Sequence, residues 1–478
     1  MNSVWNESCK FEGRKSLDKD IETEVLVIGA GIAGILIGYF LKDSGKKVTI
    51  IEANEMASRN TRNTTAKITS QHDLIYAKLI KEFGIEKAKQ YAKANEMAIE
   101  KYREIIRERN IQCDFEERPA YVYSKGKTDN IKEEVEAAKS LGIDAEYVEE
   151  VNLPIKINGA VKFNNQAQFN PLKFIKNISE ELLIYEHTRA IEIDKNTVVT
   201  DKGTIKAEYI IVATHYPIMN APGYYFMKMH QERSYVIALE NAQETNGMYI
   251  DEDKEGYSFR NYNGLLLLGG ISQRTGENES GGSYDKLRKA AKELYPDSKE
   301  KYHWSAQDCM PIDGIPYIGR YANSTDNIYV ATGFNKWGMT SSMVSAMIIT
   351  DLVLGNENDY SEIFSPNRFD LSLSVNNIAN DLIETSKNFI AQKVYLPSET
   401  IEHIPNGQAG IIEYNREKLG VYKNENGDHF IVSTKCPHLR CLLHWNADEL
   451  TWDCPCHGSR FDYQGRLIDS PAVKNLTD

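Results

Sequence analysis

One stretch near the start of the chain restricts its fold more than any other. Glu24-Val25-Leu26-Val27-Ile28 is a short apolar run, rich in β-branched residues, that passes directly into Gly29-Ala30-Gly31-Ile32-Ala33-Gly34. A helical stretch to Leu41 follows, and Lys47-Val48-Thr49-Ile50-Ile51 then ends in Glu52. Continuous apolar strands are buried on both faces, which places these two in a parallel sheet joined by a helical crossover. In such a βαβ unit Gly29 permits the tight turn, Gly31 lets the backbone approach a pyrophosphate, and Gly34 lets helix and strand pack closely. Ile32 and Ala33 open the helix, whose free N–H groups and dipole attract phosphate. Glu52, 23 residues after Gly29, is placed with Ala53 to receive an adenosine ribose. A glycine-rich turn without a ligand is the alternative; strand, turn, helix, strand and acid together favour a dinucleotide.

The 478-residue length exceeds one ordinary domain, and 41% apolar with 26% charged residues is a globular composition. A net charge of −13 argues against nucleic acid or an anionic membrane surface as the main partner. The first twenty residues hold no apolar core of a secretory signal. The longest uncharged run, Val25 to Leu41, is 17 residues broken by four glycines, whereas a membrane span needs about 20 apolar residues. The expectation is a cytoplasmic protein with no membrane segment. Of seven cysteines, Cys9, Cys113 and Cys309 are scattered while Cys436, Cys441, Cys454 and Cys456 crowd the C-terminal end. In a cytosolic setting such crowding points to metal or redox chemistry.

Further pieces narrow the dinucleotide. Ala207 to His215 reads as a strand ending in Ala213-Thr214-His215. Asp313-Gly314-Ile315-Pro316-Tyr317-Ile318-Gly319 and Ile328-Tyr329-Val330-Ala331-Thr332-Gly333-Phe334 come later, and Trp337-Gly338-Met339-Thr340 opens a helix that stops at Gly355. Over roughly residues 20 to 358 these pieces resemble the D-amino-acid oxidase superfamily of FAD enzymes, such as glycine oxidase. The resemblance implies FAD, with Ala213, Thr214 and Gly333 among its contacts. It also implies that Gly338, Met339 and Thr340 bring N–H groups to the flavin pyrimidine, where a helix N-terminus stabilises negative charge. The polar turn Arg59 to Lys67 offers Thr64, Thr65 and Ala66 to pyrophosphate and ribityl oxygens; an ordinary polar loop is the alternative. Residues 73 to 110 read as two long amphipathic helices, and 113 to 125 with 222 to 270 as strands of an antiparallel sheet facing the substrate.

Glycine oxidase and its relatives commonly carry a carboxylate-gripping arginine five residues before the Asp-Gly pair. Here that position is Asp308. An acid suits a cationic amine or a donor group; a structural cap or buried ion pair is the alternative. Arg260 is a candidate anion clamp from another strand. His215 and His303 are candidate catalytic groups, although a lone histidine is more often structural. Hydride transfer to flavin needs a neutral amine and a dry, aligned pocket more than a dedicated base. Cys309 raises the question of a covalent flavin tether, but its offset from Asp313 does not match that pattern.

The C-terminal end carries a second chemistry. After the polar break at Asn356 to Asp359, apolar positions from Leu371 to Ile390 suggest a connecting helix. Short strand signals follow, with Asn426-Gly427 marking a hairpin. Cys436-Pro437-His438 and, fifteen residues on, Cys454-Pro455-Cys456-His457 form two short loops. A Cys₂His₂ zinc site uses the same ligand types, but zinc fingers commonly pair Cys with Cys and His with His, whereas each loop here supplies one of each. The order and spacing resemble the Rieske family. The resemblance implies a [2Fe–2S] cluster held by Cys436 and Cys454 on one iron and His438 and His457 on the other, the neutral imidazoles raising its potential. It further implies a disulfide between Cys441 and Cys456. Arg440 stands where glycine is usual, and Phe461 replaces a tyrosine that donates to a cluster thiolate in high-potential members, while Ser459 is retained. Fewer donors lower the potential.

The expected architecture is α/β: a Rossmann-like FAD-binding domain with an inserted α+β substrate domain, plus a small all-β Rieske domain. Residues 1–358 form the oxidoreductase, with FAD-binding pieces at about 20–72, 150–221 and 300–358 and the substrate domain at about 73–149 and 222–299. A helical linker spans 359–395 and the Rieske domain 396–478. A flavin accepts two electrons and a Rieske centre passes one. The leading expectation is therefore an enzyme that oxidises a small amine or amino compound and hands electrons singly to an external acceptor. A reductase taking electrons from an external donor, and a redox sensor with a non-catalytic cluster, are the alternatives. An oligomer is compatible with all three.

Overall fold

The computed structural model describes residues 2–278, 280–368 and 401–476. Its first sheet is built on Ile21–Ile28, which pairs in parallel with Val48–Ile51 on one side and Thr204–Val212 on the other. Leu183–Tyr185 and Ile328–Thr332 extend the parallel sheet, and Ala190–Asp194, Thr197–Thr200 and Tyr317–Arg320 add antiparallel strands. The helix Ile32–Asp43 is buried from Ile32 to Gly38 and packs against the helix Gly338–Leu354. The latter stops at Gly355, whose φ of 75° is a left-handed cap.

The second sheet runs in the order Lys299–Pro311, Met229–Glu240, Leu265–Arg274, Tyr257–Tyr262, Met248–Asp251, Ala120–Ser124, Gly159–Phe163 and Ala145–Val148. Strand alternation divides its side chains between two cores. Val236, Ala238, Leu265, Leu267 and Trp304 face the core shared with the helices of the first sheet. Ile237, Leu239, Leu266 and Leu268 face the helix Ser283–Leu294. One expectation is corrected: Met248–Asp251 pairs in parallel with Ala120–Ser124, so the sheet is not antiparallel throughout. That junction joins two units distant in sequence, and no hairpin imposes a direction on it. Gly159–Phe163 lies in this sheet although it falls within the piece assigned to FAD binding, and Lys299–Pro311 carries the sheet past residue 300. The stretch 73–110 forms Tyr76–Phe83 and Ile85–Glu108, one short helix and one long, broken at Gly84 with a φ of 82°.

The C-terminal module has a three-stranded sheet, Ala409–Tyr414, Glu417–Lys423 and His429–Ser433, and a four-stranded sheet from His444–Asn446 to Leu467–Asp469. Gly427 turns the predicted hairpin at a φ of 87°. Gly420 is required by packing, since a Cβ there would stand 2.7 Å from the Trp452 ring. The connecting helix expected around Leu371 to Ile390 lies outside the described residues.

Candidate active site

The glycine turn folds as its spacing demands. Gly29 has a φ of 109°, and a Cβ on it would meet the Ala213 carbonyl at 2.5 Å; a Cβ on Gly34 would fall 1.9 Å from the Gly29 carbonyl. Glu52 accepts the Ala30 N–H at 2.9 Å through one oxygen and the Asn54 N–H at 2.9 Å through the other, bracing the turn. The Thr61 hydroxyl, within the polar loop, accepts the Ile32 N–H at 3.0 Å. Two indoles hold that loop: Trp5 donates to the Thr64 carbonyl at 2.7 Å and Trp304 to the Asn63 carbonyl at 2.8 Å.

These pieces open on one cavity of about 860 Å³, within the size range of ligand pockets. Gly29, Gly31, Ile32, Ala33, Glu52 and Ala53 line one part of it, Thr64, Thr65, Ala213 and Thr214 another, and Gly338 and Met339 a third. Neither N-cap residue, Gly31 or Trp337, caps its helix with a side chain; Thr61 takes only the Ile32 N–H, so further N–H groups at both N-termini are left to a ligand. That fits a long molecule with phosphate at one end and an electron-rich ring at the other. Gly34, Ala66, Gly333 and Thr340 are not in the lining. Gly34 serves helix packing, and Ala66 sits at a φ of 55°. Gly333 is enclosed by Met229, Pro311 and Tyr317. The Thr340 hydroxyl is buried against His72 Nε2 at 3.0 Å and the Thr69 carbonyl at 3.1 Å.

Across the cavity, Asp308 and Glu232 stand opposite each other on paired strands, both lining the space with His215 and Lys336. Burial pushes the Asp308 carboxyl above the usual range, against the pull of His215 and Lys336. Glu232 is held well below that range: burial opposes this, but His230 and Lys336, the latter at 2.7 Å, outweigh it. His215 adopts a φ of 66°. Its Nε2 lies 3.3 Å from the Asn60 amide nitrogen, and burial lowers its pKa, so the imidazole is neutral and accepts that hydrogen bond.

Arg260 is corrected. Its guanidinium bonds the Thr65 carbonyl and, at 2.8 Å, the Ala66 carbonyl, lies over the Trp5 and Tyr262 rings, and does not line the cavity. It is a scaffold for the polar loop, because its strand presents it to the loop side of the sheet. His303 bonds Glu300 at 2.8 Å outside the cavity. The Cys309 thiol, raised by burial, points to the His215 carbonyl at 3.4 Å.

The module's two loops meet tip to tip. The Cys436 N–H donates to the Cys441 carbonyl at 2.9 Å, and the Cys454 N–H to the Ser459 carbonyl at 2.8 Å. The His438 and His457 rings stand 5.0 Å apart and nearly perpendicular. The Cys436 and Cys454 thiols share a hydrogen bond that holds Cys436 below the usual thiol range and, with burial, pushes Cys454 above it. Cys441 and Cys456 form the disulfide that the resemblance implied, leaving Cys436 and Cys454 as the module's free thiols. His438 Nδ1 is buried without a partner while its Nε2 meets Asn220 Oδ1 at 2.6 Å. Two thiols, an orphaned imidazole nitrogen and a second buried imidazole suit a [2Fe–2S] cluster with two nitrogen ligands. Arg440 adopts a φ of 63°, the left-handed conformation that explains glycine's usual place there.

The family model for FAD dependent oxidoreductases matches residues 24–352, and the Rieske [2Fe-2S] domain model matches 395–478. The chain belongs to the FAD dependent oxidoreductase family. Its C-terminal end is a Rieske domain, so FAD and a [2Fe–2S] cluster are its cofactors. A Bacillus subtilis (strain 168) protein, YhfW, provisionally named a Rieske 2Fe-2S iron-sulfur protein, is 37% identical over 99% of this chain and 96% of its own length. Gamma-glutamylputrescine oxidoreductase of Escherichia coli (strain K12) is 22% identical over 73% of this chain and 87% of its own. The structure of glycine oxidase from Geobacillus kaustophilus aligns with a TM-score of 0.63 at 17% identity, covering 73% of this chain and 99% of that one; the shared feature is the fold. No described helix of the oxidoreductase is long and apolar enough to cross a membrane.

The Rieske domain of this oxidoreductase docks on Met229–Glu240 and Lys299–Pro311 of the second sheet, and its Ile468, Asp469, Ser470 and Val473 line the cavity. Gln231 donates to the His457 carbonyl at 2.6 Å and to the Ser470 carbonyl at 3.1 Å, and Gln307 donates to the Gly458 carbonyl at 2.8 Å. Arg233 pairs with Glu449, which also bonds Arg460 at 2.7 Å. Asp448 accepts the Gly282 N–H at 2.8 Å and the Ser283 N–H at 3.0 Å. The sequence reading passed over Gln231, Glu232, Gln307 and Lys336. Polar residues in mid-strand were the available signal, but only strand register shows which face each one occupies.

Proposed function

We propose that this oxidoreductase oxidises a small amine or amino compound by hydride transfer to FAD and passes the electrons singly to an external one-electron acceptor. The observation that carries the reading is the contact between both centres: Ile468, Asp469, Ser470 and Val473 of the Rieske domain line the ligand cavity, and Gln231 and Gln307 of its wall bond the His457 loop. When bound, the flavin supplies a two-electron hydride acceptor and the cluster a one-electron relay. In this reading the residues of the Gly29–Gly34 turn with Glu52 and Ala53 hold the adenosine end. Thr64, Thr65, Ala66, Ala213 and Thr214 hold the middle, and Gly333, Gly338, Met339 and Thr340 the flavin end. Cys436, His438, Cys454 and His457 hold the cluster.

Asp308 is the proposed recognition group for a cationic amine, with neutral His215 beside it. A carboxylate whose pKa burial has raised can also take a proton from the ammonium, leaving the neutral amine that hydride transfer requires. The name of the Escherichia coli relative, which contains an amine, supports this substrate class. A cytoplasmic setting belongs to the same reading, supported by free Cys9, Cys113 and Cys309.

Anaerobic mixing of the holoenzyme with a panel of primary and secondary amines and of amino acids tests the proposal. The expected result is bleaching of the flavin band by an amine, followed by loss of the oxidised-cluster bands. A cluster that stays oxidised throughout flavin turnover overturns it.

A further inference from the structure

Met229–Glu240 and Lys299–Pro311 form one wall of the cavity, and Glu232, Ser234, Ala306 and Asp308 line it together with Gln231 and Gln307. Ile468, Asp469, Ser470 and Val473 of the Rieske domain line the same cavity. Gln231 and Gln307 also hydrogen-bond the His457 and Gly458 carbonyls, while Arg233 and Ser305 bond Glu449. We propose that Gln231 and Gln307 are positioning residues: a hydrogen-bonded bridge that seats the His457 loop against this wall and carries single electrons from the cavity to that loop. The inference rests on the proposed function, which puts FAD in the cavity and the cluster in the Rieske domain.

Three observations lead to it. First, both glutamines are 2% exposed, and buried amides are costly unless fully bonded. Gln307 Nε2 donates to Gln231 Oε1 at 2.7 Å as well as to the Gly458 carbonyl, and Gln307 Oε1 accepts from the Thr275 hydroxyl at 3.1 Å. Every amide hydrogen of the pair is thus committed to a carbonyl oxygen, three of the four in the cluster-bearing domain. Apolar side chains would fill the same space without that demand. Second, a Cβ on Gly458 would stand 2.7 Å from the Gln231 Cβ, so the loop backbone lies directly on this side chain. Third, the two imidazoles face different ways. The His457 loop is bonded to the wall, whereas His438 is half-buried and meets Asn220, which is not in the cavity lining.

Electron transfer falls off steeply through empty space and less steeply along bonds and hydrogen bonds, so the contact from wall strand to Gln to loop carbonyl is the favoured crossing. Oxidation of one CH–NH unit to an imine releases two electrons and two protons. Each crossing carries one electron, so two equivalents of the external one-electron acceptor are consumed per imine formed.

The test uses holoenzyme carrying Gln231→Leu, Gln307→Leu or Gln307→Met, with the enzyme's own flavin photoreduced anaerobically by EDTA. Flavin and cluster absorbance are followed together, and the reduced cluster is examined by EPR and by redox titration. Flavin reduction is expected at the wild-type rate, with cluster reduction slowed by about tenfold or more, because the lost hydrogen bonds are replaced by a through-space gap in the coupling route. The EPR g values and midpoint potential are expected to shift in Gln231→Leu, a change that destabilisation alone does not produce. Gln307→Met keeps the side-chain volume and decides the matter if either leucine variant loses iron. Wild-type cluster-reduction rates and g values in Gln231→Leu and Gln307→Met overturn the bridge. A wild-type cluster that stays oxidised beside reduced flavin overturns the proposed function and the bridge with it.

Discussion

Asp308 stands opposite Glu232 on paired strands, and both acids line the cavity. Lys336 neutralises Glu232 at 2.7 Å, which leaves Asp308 as the less compensated acid of the pair. Asp308→Asn is expected to raise KM for amine substrates by about tenfold, the value of one charge-assisted hydrogen bond. It is also expected to remove the acid limb of the pH–rate profile, because Asp308 loses its charge as pH falls through a raised pKa. Steady-state kinetics across pH checks both, and an unchanged KM sinks the assignment. His72 provides a stability counterpart. Burial lowers its pKa from 6.5 to about 3, and the neutral ring stacks on Trp337 at 4.9 Å. A depressed folded-state pKa means that the unfolded chain binds the proton first. Stability present above pH 6.5 is then lost as pH falls toward 3, at up to about 1.4 kcal/mol per pH unit. Thermal melts of wild type and His72→Phe are expected to diverge in slope over that window, with the variant flatter.

At the scale of elements, the opening strand–turn–helix was legible because each glycine answers a steric demand of its own. Gly34→Ala places a methyl group 1.9 Å from the Gly29 carbonyl, so the helix must move away from the strand. The expected outcome is loss of bound FAD, read from the flavin absorbance of the purified protein, together with a destabilisation of about 1–3 kcal/mol from overpacking. The C-terminal helix and its Gly355 stop were legible for the same kind of reason. Arg260 was not. A buried arginine in an aromatic-rich strand reads equally as an anion clamp or as a scaffold, and only the Thr65 and Ala66 carbonyls in front of it decide. The parallel junction of Met248–Asp251 with Ala120–Ser124 was equally hidden, since no periodicity encodes which distant strand becomes a neighbour.

At the scale of the whole molecule, a buried charge network joins the two halves. Glu449 is shared by Arg233 of the sheet and Arg460 of the Rieske domain, all three side chains being no more than 7% exposed. Glu449→Ala leaves two buried cations short of a partner, and breaking such a pair costs about 3–5 kcal/mol. Calorimetry is expected to split one unfolding transition into two as the domain undocks; a single unshifted transition would count against this network as the joint. The cluster itself gives a fifth handle. Phe461 lies fully buried in the core around the cluster cysteines, and Phe461→Tyr is expected to raise the midpoint potential measured by redox titration by supplying a donor to cluster sulfur.

By itself the sequence determined the two cofactors, because the signature of each is local: a glycine-rich turn between two apolar strands, and two short Cys–His loops. Only the tertiary structure decided what lies between them. Gln231 and Gln307 are 76 residues apart along the chain and become partners because Met229–Glu240 and Lys299–Pro311 pair in one register. Which side chains of these two strands meet the cavity and the His457 loop is a long-range property of strand pairing, which no local spacing encodes.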